Sequence, residues 1–339
     1  MAHEVPVFCA KDCGGNACPL LVTVEDGRAV RLRDNPASGA WIKPCPRGYA
    51  LHREHYAPQR LTTPLILDGP RGSGRFRNAT WDEALDRVAG KIRGIRAKYG
   101  GSAILAMGGS GNLGVFHGTR RLVERFLNAS RPASGCDDPG PATFMSSGYS
   151  NGAVRFVLPY LYGDAAGESG WDATTVRHSR LIVLWGANIL EARLGAELGL
   201  RVAEAARSGV PVIVIDPRRS MTAKAVGAHW IPIRPATDAA MMLAVLHVLY
   251  TRDLVNRARV AELSIGMDDL EAYVTGRLDG IVRDPAWAEP ISGVPAGDIV
   301  AFAETYAAHA PTMLIPGYSI QRVTAGEQAF RLTAALQIA

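Results

Sequence analysis

Leu181-Ile182-Val183-Leu184-Trp185-Gly186-Ala187-Asn188 decides the fold, together with Val210-Pro211-Val212-Ile213-Val214-Ile215-Asp216-Pro217-Arg218-Arg219. Both are continuous apolar runs rather than alternating ones, the pattern of strands covered on both faces. A helix at about Leu194 to Arg207 joins them. Strand, helix and strand in this order make a βαβ unit, hence a parallel sheet and an α/β fold class. Ligands of such sheets sit beyond the carboxyl ends of the strands, where Asn188, Glu191, Asp216 and Arg218 fall.

Moving outward, Trp230 to Pro232 reads as a short strand leaving through Arg234 and Thr237-Asp238, the latter pair expected to cap an apolar helix from Ala239 to Tyr250. His247 on that helix reads as a packed residue rather than a ligand. A helix opens near Val294 and runs to Ala308, and a last strand, Thr312 to Pro316, ends at Gly317-Tyr318-Ser319. The chain stops inside an amphipathic helical pattern, Phe330 to Ala339, which suggests truncation. Upstream, Thr80-Trp81-Asp82-Glu83 is a capping box opening a helix up to Gly100. The Pro, Gly and Arg-rich stretch from Tyr56 to Arg77 is expected to be an extended crossing segment. A short strand, Ala103 to Met107, enters the glycine turn Gly108 to Gly114 and then a helix through Leu127, an arrangement able to hold phosphate but too common to indicate NAD.

Four of the five cysteines are spaced Cys9-x3-Cys13-x4-Cys18-x26-Cys45. Disulfides fit poorly, since three thiols within ten residues pair awkwardly with one distant partner. Four thiolates suit either tetrahedral zinc or a 4Fe–4S cluster, and the gaps of three and four favour the cluster over zinc knuckles. Between the third and fourth thiols, Leu20 to Leu32 alternates about Asp26-Gly27, a hairpin signal. Arg47 follows Cys45, either as a solvated loop charge or as a cation beside the cluster. The fifth thiol lies in Arg131 to Pro141, where Cys136 and two carboxylates either ligate a metal or form a solvent loop.

At 339 residues the chain exceeds one core and implies several domains. No apolar run reaches the roughly 18 residues of a membrane span. A net charge of +5 with scattered arginines disfavours nucleic acid as a partner. The N-terminus lacks a basic n-region, a long apolar run and a twin arginine, so no export signal and a cytoplasmic setting are expected.

The ordered set Cys9/Cys13/Cys18/Cys45 with Pro46-Arg47-Gly48, then Tyr56 to Leu61, Trp81 to Ala84, Trp185 to Asn188, Ile215 to Arg218 and Ile233 to Asp238, resembles the N-terminal part of catalytic subunits of the dimethyl sulfoxide reductase family of molybdopterin oxidoreductases. The resemblance implies that the four cysteines hold a 4Fe–4S cluster and that Arg47 lies between cluster and pterin. It implies a molybdenum or tungsten bis-molybdopterin guanine dinucleotide held by Trp185, Gly186, Asn188, Glu191, Asp216, Pro217, Arg218, Arg234, Thr237 and Asp238. Asn188 and Glu191 then lie near its phosphates, and Asp216 and Arg218 near guanosine. Two departures stand out. The Cys13–Cys18 gap has one residue more than the family pattern leads one to expect, and the metal ligand is either Asp137, as in nitrate-reductase-like members, or Cys136, with Asp137 ranked ahead.

The resemblance further implies a cluster domain at 1–60, an α/β segment at 61–175 contributing to the cleft, a dinucleotide-binding-like α/β domain at 176–310, and the start of a truncated segment at 311–339, with the family's C-terminal β-barrel absent. The expected reaction is oxygen-atom transfer or related two-electron chemistry on a small S-oxide, N-oxide, nitrate or sulfur oxyanion, with electrons passing through the cluster. Expected partners are an iron–sulfur electron-transfer subunit and a membrane anchor subunit. The alternatives are a non-redox hydratase or transhydroxylase of the family, or a non-catalytic electron-transfer subunit on the same fold.

Overall fold

A computed structural model describes residues 1–9, 18–107, 119–129, 142–144, 148–163, 172–192 and 196–339. The chain divides into two compact units, Met1–Ser146 with Leu194–Ala196, and Ser147–Arg193 with Glu197–Ala339.

The first unit opens with β1 (His3–Phe8), β2 (Pro19–Glu25) and β3 (Arg28–Asp34), an antiparallel sheet in that order. Asp26 and Gly27 both take positive φ, 48° and 76°, the two left-handed residues that a tight two-residue hairpin needs. Short helices α1 (Pro46–Tyr49) and α2 (Leu51–His55) follow. The Tyr56 ring at their end stacks under the Arg28 guanidinium at 4.2 Å, and its hydroxyl accepts from the Ala29 amide at 3.0 Å, which ties the helices to the hairpin. The stretch expected to be a plain crossing segment contains an antiparallel ladder, β4 (Leu65–Leu67) against β5 (Phe76–Asn78). Its strands are three residues long, too short to show a period, and positive-φ glycines 69, 72 and 74 turn the chain between them.

In α3 (Trp81–Tyr99) the Thr80 hydroxyl accepts from the Glu83 amide as the capping box requires, while the Glu83 carboxylate pairs with Arg77. The expected strand at Ala103 shrinks to β6 (Leu105–Ala106), because Gly101–Ala103 forms a 3-10 turn. The unit continues with α4 (Thr119–Ala129) and β7 (Thr143–Phe144), the latter parallel to β6. Arg96 is 5 % exposed and donates to the Leu127 carbonyl at 2.5 Å, a cation at the end of α4.

The second unit contains α5 (Gly148–Tyr162), β8 (Leu181–Trp185), α6 (Ala196–Arg207), β9 (Val212–Ile215), α7 (Met221–Ala225), β10 (His229–Ile231), α8 (Asp238–Thr251), α9 (Arg257–Leu263), α10 (Met267–Val274), α11 (Pro285–Ser292), α12 (Ala296–Ala308), β11 (Thr312–Pro316) and α13 (Gly326–Ile338). Its four strands are all parallel, in the order β10-β9-β8-β11. Alternate residues of one strand feed two cores. Leu181, Val183 and Trp185 meet Met241, Val245 and Leu249 of α8 and Phe302 of α12, whereas Ile182 and Leu184 meet Val202 and Ala205 on the α6 side. α8 is apolar all round because it is covered on most sides, and α10, α11, α12 and α13 pack on it.

Chain order first runs outward, β8 to β9 to β10, and then returns to the other side of β8 with β11. That reversal is a topological switch point, where the chain leaves adjacent strands in opposite directions. Here the backbones nearly touch. A Cβ on Gly317 would lie 1.9 Å from the Gly186 carbonyl oxygen, and one on Gly186 (φ 62°) would lie 2.6 Å from the Ser319 hydroxyl. Replacing Gly317 by Ala is expected to destabilise the chain by about 3 kcal/mol, since rigid backbone must move. A Gly297→Ala control, where a Cβ meets nothing within 4 Å, is expected to leave the denaturant midpoint nearly unchanged.

Candidate functional site

The carboxyl edge beside this crossing collects Asn188, Glu191, Asp216 and Arg218, as expected from the two apolar runs. The Asn188 side-chain amide donates to Glu191 Oε2 at 2.6 Å, and Arg218 Nη2 reaches the same oxygen at 3.1 Å. One carboxylate therefore joins the exits of β8 and β9. Asp216 Oδ1 accepts from the Arg218 amide at 3.0 Å and closes the turn through Pro217, while the Asp216 carbonyl accepts from Trp230 Nε1 at 2.8 Å. The Arg218 and Glu191 side chains remain open to solvent.

Of the other expected residues, Trp185 and Asp238 are buried, whereas Arg234 is exposed and Thr237 half-buried. Trp185 is 0 % exposed, stacks edge-on against Phe302 at 5.8 Å, and donates through Nε1 to Asp238 Oδ1 at 2.9 Å. Asp238 is 8 % exposed. Burial pushes its carboxyl above the ordinary value, the indole bond opposes this, and the nearby Asp216 charge adds to the rise. Arg234 caps a neighbouring helix, its guanidinium donating to the carbonyls of Pro290 and Ile291 at 2.8 and 2.6 Å in the last turn of α11. Thr237 stands at the N-cap of α8 but makes no side-chain cap, because its hydroxyl donates to the Arg234 carbonyl at 2.6 Å. Ala236 between them takes φ 65°, a left-handed turn.

Two contributors escaped the sequence. Thr222 on α7 is 0 % exposed and donates to Asn188 Oδ1 at 2.7 Å; Ser319 donates to the Gly186 carbonyl at 2.7 Å. Ser319 stood visibly after the last strand, but only the strand order makes its exit a neighbour of Gly186.

In the first unit, Cys9 and Cys18 are buried at one end of the sheet, and the Cys9 amide donates to the Cys18 carbonyl at 2.9 Å. Cys45 is the N-cap of α1, and a Cβ on Gly48 of that helix would lie 3.5 Å from Cys9 Sγ. Gly48 thus lets the Cys45-bearing segment lie against Cys9. Asp34 of β3 holds the segment, accepting from the Tyr49 hydroxyl and pairing with Lys43 at 3.3 Å, which keeps its carboxyl below the ordinary value. Arg47 is exposed. No disulfide joins Cys9, Cys18 and Cys45 to one another. Cys13, Cys136, Asp137 and the Gly108–Gly114 turn lie outside the described residues. Among the described residues no three His, Cys, Asp or Glu side chains are grouped to hold a metal. Buried thiols at the end of one sheet, with a glycine beside Cys9 Sγ, nonetheless have the donor chemistry of an iron–sulfur site.

A parallel sheet ordered in this way, with glycine backbones crossing at its switch point and polar side chains at the strand exits, defines the second unit as an open α/β fold. A family model for molybdopterin oxidoreductases matches residues 60–339, and the chain belongs to that family. It is 31 % identical over 360 residues to the dimethyl sulfoxide reductase DmsA of Haemophilus influenzae, covering 97 % of this chain and 43 % of that protein. It is also 31 % identical over 334 residues to a dimethyl sulfoxide/trimethylamine N-oxide reductase of Cereibacter sphaeroides, covering 90 % and 38 %. The chain therefore spans about two fifths of the length of these relatives. The acetylene hydratase of Pelobacter acetylenicus shares the fold, with a TM-score of 0.69 at 23 % identity over 98 % of this chain and 43 % of that one.

A raised carboxyl means that folding favours the protonated acid at Asp238. Its contribution is present below the unfolded carboxylate value and is lost as pH rises through the folded one. Asp238→Asn keeps an acceptor for the indole and removes the charge, so its melting temperature relative to the parent is expected to rise as pH climbs above the ordinary carboxylate value of about 4. Parallel pH curves for the two proteins would contradict this.

Proposed function

We propose that this chain is the cluster-bearing part of a molybdenum or tungsten bis-pterin reductase acting on S-oxides or N-oxides. The observation that carries the proposal is the set of donors at the exits of β8 and β9 beside the Gly186–Gly317 crossing, in a chain of this family. The names of the relatives from H. influenzae and C. sphaeroides favour S-oxide and N-oxide substrates over nitrate and sulfur oxyanions.

The chemistry of these donors fits a guanine dinucleotide. Arg forks and side-chain amides suit phosphate oxygens, and a carboxylate at a strand end suits ribose hydroxyls or guanine N–H groups. Asn188 is assigned to the phosphate side, Asp216 to the guanosine side and Gly186 to a close backbone approach; Arg218, which the resemblance set near guanosine, is assigned instead to the phosphate side because its Nη2 shares one Glu191 oxygen with Asn188 Nδ2. Trp185, Arg234, Thr237 and Asp238 support the site by holding its helices. Glu191 keeps Asn188 and Arg218 oriented, and Pro217 stiffens the turn between them. When bound, the pterin metal supplies two-electron exchange with the substrate, and the protein supplies binding and orientation.

Cys9, Cys13, Cys18 and Cys45 are assigned to a 4Fe–4S cluster in the region 1–60, with Arg47 beside it. Asp137, ahead of Cys136, is assigned as the protein ligand to the metal. An iron–sulfur subunit and a membrane anchor are the proposed partners. Among the described residues no helix is long and apolar enough to cross a membrane.

Anaerobically purified protein is expected to contain roughly four irons per chain and to give a cubane EPR signal on reduction. Cys45→Ser should lower both. About one zinc per chain without iron would overturn the cluster assignment. In the full-length protein, turnover of S-oxides and N-oxides above nitrate tests the substrate class.

A further inference from the structure

The orientation of an asparagine amide depends on what surrounds it, and Asn188 is surrounded by groups whose own roles are set. The backbone N–H of Thr222 faces Asn188 Oδ1 at 3.4 Å and can only donate. The Thr222 hydroxyl accepts from the Leu190 amide at 3.0 Å, which directs its own proton to Asn188 Oδ1 at 2.7 Å. On the other side stands the Glu191 carboxylate, an acceptor, 2.6 Å from Nδ2. Turning the amide over would set two donors against an NH2 group and an oxygen against a carboxylate.

From this chain we infer that Thr222 is a positioning residue: it fixes Asn188 as an outward-facing donor, so that the exit of β8 takes an acceptor-rich anion of the phosphate type. Order passes in one direction, from the Leu190 amide to the Thr222 hydroxyl, to the Asn188 carbonyl, and out through the Asn188 NH2. Thr222 does not reach the surface, being 0 % exposed, so it acts on a ligand only through Asn188. Glu191 marks where the anion belongs, since the two donors it holds, Asn188 Nδ2 and Arg218 Nη2, are the ones offered to a phosphate oxygen. α7 is pinned for this task by Ser220, which is 1 % exposed and whose hydroxyl accepts from the Ala223 amide at 3.2 Å.

The inference rests on the nucleotide-binding reading of the site, and the test separates the two. Guanosine diphosphate serves as the probe, titrated by calorimetry into the full chain, and the Asn188 side-chain NH2 resonances are followed by NMR without ligand. Thr222→Val is expected to weaken binding about tenfold, the loss of roughly one hydrogen bond, and to move the Asn188 NH2 signals toward those of a solvent-exposed amide. Thr222→Ser, which keeps the hydroxyl, is expected to restore both. Asn188→Asp retains the acceptor toward Thr222 but sets an oxygen in place of the outward donor against the Glu191 carboxylate, and is expected to weaken the probe at least as much and to melt below the parent. Should Thr222→Val prove unfolded, the serine and aspartate variants carry the comparison. Unchanged affinity and unchanged Asn188 signals in a folded Thr222→Val would overturn the positioning role. Parent protein that fails to bind the diphosphate would overturn the nucleotide reading, and the amide signals would still decide whether Thr222 sets the orientation.

Discussion

Two backbones approach within contact at the crossing of Gly186 and Gly317, and the second unit depends on that approach. The Gly317 amide donates to the Trp185 carbonyl at 2.8 Å, and the Gly186 amide donates to the Ile215 carbonyl at 2.8 Å. Three strand ends are thereby laced together where parallel strands ordinarily separate into their helices. Ser319 completes the lacing through the Gly186 carbonyl. A side chain on either glycine would force β8 and β11 apart and open the packing that seats Trp185 beneath them.

The lacing separates polar groups into two kinds. Asn188, Glu191 and Arg218 stay at the rim, where one carboxylate holds two donors without removing them from water. Trp185 and Asp238 have been drawn into the scaffold, where they satisfy each other, and Arg234, itself exposed, caps the last turn of α11. An unpaired carboxylate under the sheet would be costly, and the indole and the raised protonation of Asp238 lower that penalty together. The helix that begins at Asp238 is in turn the one on which most of the apolar helices pack.

How much of this was legible follows from the length of each signal. β8 and β9 could be read because five and four consecutive apolar residues leave no solvent face. That β11 lies beside β8 could not, because an apolar strand carries no mark of which edge it joins. The β4–β5 ladder was hidden by strands of three residues between glycines. Thr237 was expected to cap α8 and sits at the right position, yet its hydroxyl found the nearer Arg234 carbonyl. At the rim, the residues beyond the strand ends were legible from type and position. Thr222 was not, since a threonine in a short helix becomes informative only when both of its hydroxyl partners are known.

The alternation of β8 carries a consequence for length rather than composition. Its odd residues face α8 and α12 and its even residues face α6, so a swap of Ile182 for Val or Leu184 for Met changes volume in one core only. Insertion or deletion of a single residue would instead exchange the faces, moving Trp185 away from Asp238 and shifting Gly186 out of the crossing. Relatives can therefore diverge widely in the side chains of this strand, whereas its residue count, together with the spacing to Asn188, is held by both cores and the rim at once.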